Sequence, residues 1–328
     1  MPPFQVRRAD CPSTLQDGAC LDDEDLLGLA GDGVGFEQVG PRAVVDAVAA
    51  VVGDVDAGVE EAGAERYART GPGGCRIELL MRPDHVLLRV DAGESWSALV
   101  DRAVDDGLSG IEALAGIPGS VGAAPVQNIG AYGQELADVL ERIELLEADT
   151  GEVVWLDADE LGLGYRTSSL KRGEHRGLVL RVELRLRRVD GEAGAPVQYA
   201  QLAKALGVEL GARVGVREQR DAVLALRASK GMVLDADDPD TRSTGSFFMN
   251  PIVHREFAID LPADAPRFDA GVDDEGRELV KLSAAWLIDH AGVHRGTALP
   301  GSRAAISSKH TLAITNRGGA TAEEVAQL

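Results

Sequence analysis

The chain has 328 residues, 45% apolar and 27% charged, a composition that gives room for two folded cores and excludes collagenous, fibrous or wholly disordered architectures. Fifty-four acidic against 33 basic side chains give a net charge of −21, and such a surface repels nucleic-acid phosphates and anionic lipid, so neither is an expected partner. No apolar run reaches the about 18 residues of a membrane span, and the start MPPFQVRRAD lacks an apolar signal core, so the expectation is a cytoplasmic chain. Cys11, Cys20 and Cys75 lie in no metal-ligand spacing and read as free thiols, with neither a disulfide framework nor a metal site.

Residues 1–40 mix Pro, Gly, Asp and Cys without period and read as loop. PRAVVDAVAAVV (41–52) predicts a helix opened by Pro41 and stopped by Gly53. Between Gly53 and Pro83 only CRIELLM offers a short strand. From Asp84 the pattern sharpens: HVLLRVDAG alternates as a strand, and SWSALVDRAVDDG predicts a helix with Ser95 as N-cap and Gly107 as its stop. ERIELLEADTGEVVWLD predicts two strands around a turn at Asp149–Gly151, and GLVLRVELRLRRV (177–189) one long strand with alternating faces. Two helical patterns follow, through YAQLAKALG and VREQRDAVLALRASK. The last hundred residues read as GSFFMNPIV, a loop into a strand, then a polar Asp-rich connection, then SAAWLIDHAG as a helix ended by Gly292. TLAITNRGG reads as a strand and turn, and TAEEVAQL as a helix opened by a capping box from Thr321 to Glu324. Mixed strand and helix order without repeats indicates α+β rather than a regular βαβ winding.

The segment most able to carry chemistry is GIPGSVGAAPVQNIGAYGQE (116–135). Its glycines let backbone amides approach a ligand, and consecutive exposed amides bind phosphate, although a buried Gly/Ala turn would have the same composition. No GxGxxG follows a strand here, so it is not a Rossmann fingerprint. Lysine is scarce against arginine, which draws attention to Lys171, Lys204, Lys230, Lys281 and Lys309.

Taken with GYRTSSLK (164–171), GSFFMNP (245–251), AAWLIDHAG (284–292) and ISSKHTLAITNRGGAT (306–321), in that order, this segment resembles the UDP-N-acetylenolpyruvoylglucosamine reductases, the MurB family, over roughly residue 86 to the end. The resemblance implies an α+β chain with a two-lobed FAD-binding region of the vanillyl-alcohol-oxidase (PCMH) type over 1–205, its first 85 residues divergent. A smaller α+β substrate domain over 206–328 follows. It also implies FAD and NADPH as cofactors, UDP-N-acetylglucosamine enolpyruvate as substrate, and a monomer acting in peptidoglycan precursor synthesis. Carried over position by position, Gly116, Ile117, Pro118, Gly119, Ser120, Gly122, Ala123, Gln127, Asn128, Gly130, Ala131 and Tyr132 become FAD contacts.

The family's chemistry passes a hydride from flavin to an enolpyruvyl methylene, which requires a cation at the substrate carboxylate and a proton donor at the neighbouring carbon. The resemblance gives Arg166 the first role and Ser246 the second. Taken alone, a lone Arg is usually a surface ion pair and a Ser beside Gly a turn residue. Lys230 and Asn250 resemble contacts to the uridine diphosphate, Tyr199 the tyrosine that covers the substrate, Tyr165 a residue on the nicotinamide path, and His290 stands where some members carry Gln. Two further departures stand out. Residues 1–85 contain no GGGSN-like loop, TGPGG being the nearest cluster. The family's catalytic Glu, about twenty residues past the last helix, has no counterpart before Leu328, so the substrate domain reads as truncated. These departures define an alternative, a decayed relative that binds UDP-sugar or flavin weakly without turnover. A different flavin oxidoreductase on the same scaffold is disfavoured by GSFFMNP and Lys230, and an interaction module has only the acidic surface for it.

Overall fold

The computed structural model describes residues 66–70, 76–189 and 193–328. The loop and helix expected over residues 1–53, the glycines at 71, 73 and 74, and all three cysteines lie outside these residues.

An antiparallel seven-stranded sheet dominates the first part. Its order is β1 (Arg66–Thr70), β2 (Arg76–Met81), β3 (Val86–Asp91), β9 (Gly177–Arg188), β7 (Leu140–Glu147) and β8 (Val153–Asp157), with β4 (Leu108–Ser109) paired to β9. Alternation in β3 and β9 puts Val86, Leu88 and Val90 beside Val182, Leu184 and Leu186 on one face. Against that face packs helix α1 (Trp96–Asp105) through Trp96, Leu99, Val100, Ala103 and Val104. Ser95 caps α1 by accepting from Ala98 N at 3.3 Å, as its sequence predicts. Gly107 stops it at φ 68, where a Cβ would come within 2.9 Å of the Val189 carbonyl.

The opposite face of the sheet is built from charge. Glu183 is fully buried between Arg89 and Arg142, each with a guanidinium nitrogen 2.6 Å from a carboxylate oxygen, and Arg142 lies over the Trp155 ring at 4.4 Å. With a guanidinium on each oxygen, the buried carboxylate is compensated.

Helix α2 (Ser169–Arg172) closes a loop after the Gly-rich segment, and helices α3 (Ala200–Leu206) and α4 (Val216–Ser229) complete the first part. Leu202, Val216 and Val223 belong to the same core as the sheet, so that core continues past residue 205.

Beyond α4 lie two three-stranded sheets. One orders β10 (Ser243–Ser246), β15 (Ala313–Asn316) and β14 (Ala304–Ile306); the other orders β11 (Ile252–His254), β13 (Glu278–Leu282) and β12 (Arg267–Val272). Two expectations change here. The polar Asp-rich connection contains the β12–β13 hairpin, whose turn is organised by Asp273 accepting from the amides of Glu275 and Arg277. GSFFMNP does not begin as loop, because Gly245 and Ser246 end β10. Helix α5 (Ala284–His290) is capped by Ser283, and α6 (Ala322–Gln327) opens with the predicted box between Thr321 and Glu324. Among the described residues no helix is long and apolar enough to cross a membrane.

Candidate functional site

The Gly-rich segment crosses the end of the core as short 3₁₀ turns followed by the two-residue hairpin β5 (Gly130–Ala131) and β6 (Gln134–Glu135). Gly122 sits so close to the β3–α1 connection that a Cβ would lie 2.5 Å from that of Ala92, and its N–H donates to Ala92 O at 2.9 Å. At Pro118–Ser120 the chain turns outward. Gly119 has φ 121 with open space where a Cβ would stand, and among the described residues the N–H groups of Gly119 and Ser120 have no partner. Pro118, Gly119, Ala123 and Gln127 are exposed, whereas Ile117 packs on the core. Asn128 is buried in a left-handed conformation and turned inward. Its amide donates to Glu135 and to the Gly164 carbonyl and accepts from Ala137 N. Gly116 lies against Leu224 and Arg227 of α4.

Arg166 also takes a left-handed backbone, φ 55, uncommon for a side chain of its size. Its guanidinium donates to the carbonyls of Gly130 and Asn128, so it fastens the far end of the Gly-rich segment. Two of its five N–H groups serve this purpose, and among the described residues the other three have no hydrogen-bond partner. Tyr165 lies between two cations, with Lys281 Nζ 5.1 Å and Arg166 Cζ 5.7 Å from its ring centre. Lys281 comes from β13, where it is paired with Ile252 and Phe268, so the second part of the chain reaches Arg166 through it.

Between these elements lies a cavity of about 730 Å³. Gly130–Glu135, Arg166 and Tyr199, all expected at the site, line it. Lys281, noted only for the scarcity of lysine, lines it too, as do Arg185, Arg187 and Arg213, whose sequence context gave no sign of this. Five cations and two acids, Glu135 and Asp138, face it on a chain of net charge −21.

Beside the cavity, Tyr132 meets Tyr199 edge to face at 5.5 Å, and Lys230 lies 5.4 Å from the Tyr132 ring centre with its ammonium 2.7 Å from Gln201 Oε1. Burial, reinforced by the nearby Arg227, lowers the Lys230 pKa; burial raises that of Tyr132. His310 joins this group, its pKa lowered by burial and then by Lys230 and Arg295. Tyr132, Tyr199 and Lys230 are thus brought together. Ser246, Asn250 and His290 lie outside the cavity lining. Ser246 is exposed, and among the described residues its hydroxyl has no hydrogen-bond partner. Asn250 Oδ1 accepts from Ala284 N at the start of α5, and His290 stacks on Trp286 at 3.6 Å with Nδ1 at the Trp286 carbonyl.

Two family models match separate stretches of the chain. The family model described as "FAD binding domain" matches residues 79–157, and "UDP-N-acetylenolpyruvoylglucosamine reductase, C-terminal domain" matches residues 237–328. The UDP-N-acetylenolpyruvoylglucosamine reductase of Leifsonia xyli is 57% identical over 270 residues, covering 74% of this chain and 71% of that one. That of Saccharopolyspora erythraea is 51% identical over 251 residues, covering 74% and 67%. A crystal structure of the Thermus caldophilus enzyme aligns at 29% identity and a TM-score of 0.48, over 73% of this chain and 65% of that one. With more than half of the aligned positions identical to the Leifsonia reductase across most of both chains, this chain belongs to the UDP-N-acetylenolpyruvoylglucosamine reductase family.

Proposed function

We propose that the chain is a flavin-dependent oxidoreductase that reduces UDP-N-acetylglucosamine enolpyruvate to UDP-N-acetylmuramate for peptidoglycan precursor synthesis, with NADPH as electron source and FAD as carrier. It acts in the cytoplasm as a monomer, with a cofactor-binding region whose core runs on through α4 and a substrate region after it. The observation that carries the reading is the cavity in which the Gly-rich segment, Arg166 and Lys281 meet, cation-lined on an acidic chain.

The residues present fit a dinucleotide. The outward turn at Gly119 and Ser120 offers two amides to a phosphate, and Gly119 leaves open space beside them. Bound there, FAD would supply a hydride relay between the nicotinamide and the enolpyruvyl carbon. The remaining work falls to side chains. Arg166, held in place by two backbone carbonyls, turns the rest of its fork to the substrate carboxylate, whose charge grows as the double bond is reduced. Ser246, its hydroxyl without a partner among the described residues, gives a proton to the carbon beside that carboxylate. Lys230 meets the diphosphate, Asn250 steadies α5 while contacting the nucleotide, Tyr199 covers the sugar, and Tyr165 lines the nicotinamide path.

The test separates the half-reactions under anaerobic conditions. NADPH should bleach the FAD-loaded chain, and the enolpyruvyl substrate should restore its colour. Ser246→Ala should keep the bleaching and slow reoxidation about 10²–10⁴-fold, the usual contribution of a positioned proton donor. Arg166→Lys should slow reoxidation about 10²-fold or more, with the bleaching retained. Selective loss of the NADPH half-reaction in either variant would overturn the assignments.

A further inference from the structure

Arg187 and Arg213 converge on one atom of the cavity wall. Arg187 Nη2 donates to the Gly194 carbonyl at 2.9 Å and to the Ala193 carbonyl at 2.7 Å, and Arg213 Nη1 donates to the same Gly194 carbonyl at 2.9 Å. Two guanidinium groups sharing a neutral acceptor repel each other and gain by binding an anion that accepts from both forks. Among the described residues neither has a carboxylate partner. Their neighbour Arg185 is already neutralised by Glu141, with nitrogens 2.8 and 2.7 Å from its oxygens. Glu112, fully buried behind this wall, turns its oxygens to Ser109 Oγ, Gly110 N and Ala195 N.

The wall is also fixed in place. Gly194 N donates to Val214 O at 2.7 Å and Val197 N to Ala212 O at 2.9 Å, with a bridge between Pro196 and Arg213. A Cβ on Gly194 would come within 2.9 Å of Glu112 Oε1 and 3.0 Å of the Val214 carbonyl, so the backbone there is clamped from both sides. The pair therefore presents a positioned double charge to the cavity that holds Arg166. The proposed diphosphate contact, Lys230, belongs to another cationic group with Arg227, His310 and Arg295, none of which lines this cavity.

We infer that Arg187 and Arg213 bind the 2′-phosphate monoester of the reducing nucleotide and so select NADPH over NADH. This rests on the reductase reading, which supplies NADPH; among its phosphates only the 2′-monoester gathers two negative charges on one phosphorus, matching two forks that converge on one point. A dianionic monoester presents three oxygens to two guanidinium forks, whereas NADH offers a ribose hydroxyl there.

Calorimetric titration of the full chain with 2′,5′-ADP, 5′-AMP and UDP tests it without needing turnover. The chain should bind 2′,5′-ADP more tightly than 5′-AMP, and Arg213→Ala and Arg187→Ala should each lower that affinity about tenfold or more, with UDP affinity unchanged. In the FAD-loaded chain the same variants should slow bleaching by NADPH at subsaturating concentration about tenfold and leave bleaching by NADH as it was. Equal affinity of the unsubstituted chain for 2′,5′-ADP and 5′-AMP would overturn the inference. So would variants that lose UDP, which would make the pair a diphosphate site, or variants that lose both reductants alike. A chain that prefers 2′,5′-ADP through these arginines yet is not reoxidised by the enolpyruvyl substrate would instead sink the reductase reading and leave this one standing.

Discussion

Trp96, Leu99 and Leu184 sit in a continuous apolar core that reaches from β2 to α4, whereas the part of the chain beyond α4 gathers Ala258, Val280 and Leu282 into a small buried cluster. There Phe247, Phe248, Phe257, Ile259 and Phe268 are all at least half exposed. Polar ties do much of the positioning instead. Buried Asp240 accepts from Ser308 N and Oγ, Lys309 pairs with Asp238, Thr311 donates to the Ala285 carbonyl, and Asn250 caps α5. Apolar burial is non-directional and fixes a scaffold; hydrogen bonds fix the placement of particular loops at smaller gain per contact. The Gly-rich segment rests on the first kind of support, and the turn around Ser308 and the start of α5 on the second.

The sharpest way to break this contrast is a pair of truncations. Trp96 is almost fully buried and donates from Nε1 to the Leu114 carbonyl at 3.1 Å, so Trp96→Ala should cost about 3–5 kcal/mol. Leu282→Ala, in the shallow cluster, should cost about 2 kcal/mol, the low end for a leucine. Denaturant titration of both variants checks it; equal losses would mean that the second part is held by its apolar contacts after all.

A polar substitution probes the other side. Asp240→Asn keeps the size and removes the charge that receives two hydrogen bonds from Ser308, at a cost of about 1–3 kcal/mol. Because Ser308 lies in the turn that Ser307 Oγ closes onto the His310 amide, near Lys230, the variant should also weaken UDP binding while leaving the flavin spectrum unchanged. Loss of flavin binding instead would show that the two parts are not supported separately.

The same physics explains what the sequence made legible. The strand and helix of HVLLRVDAG and SWSALVDRAVDDG are readable because the apolar period, the Ser95 cap and the Gly107 stop all point one way. The β12–β13 hairpin is not, since Phe268 and Val272 are exposed and its turn, DDEG, reads as a solvated acidic loop. Among site residues, the glycines, Arg166 and Lys230 could be found through motifs of the resemblance. Lys281 stands out only as one of few lysines, with no motif around it, and the packing of β13 against Tyr165 is what brings it to the cavity. Arg187 and Arg213 lie in different segments and meet only at the Gly194 carbonyl.

Acid offers the smallest test, because it should move the two parts in opposite directions. In the first part, burial raises the Glu144 pKa above the ordinary 4.5 despite Arg181 and Arg89 nearby, with Asp91 and Glu183 adding to the rise. A raised carboxyl pKa means the fold binds the proton more readily than the unfolded chain, so lowering pH through that value toward 4.5 relieves a penalty and favours the first part. In the second part the shifts are reversed. Amides of Arg303 and Thr321 hold Glu324 at about 2, and amides and the guanidinium of Arg277 hold Asp273 at about 2. Their contribution is complete above the ordinary carboxylate range and is lost as pH falls from there toward about 2. Hydrogen exchange resolved by peptide, corrected for intrinsic rates, should therefore show peptides of β12, β13 and α6 losing protection between about pH 4.5 and pH 2, while those of β3, β7 and β9 keep theirs. Loss in β7 and β9 first would show that the buried charge layer of Glu183 and Glu144, and not the carboxylates of the second part, is the acid-sensitive element.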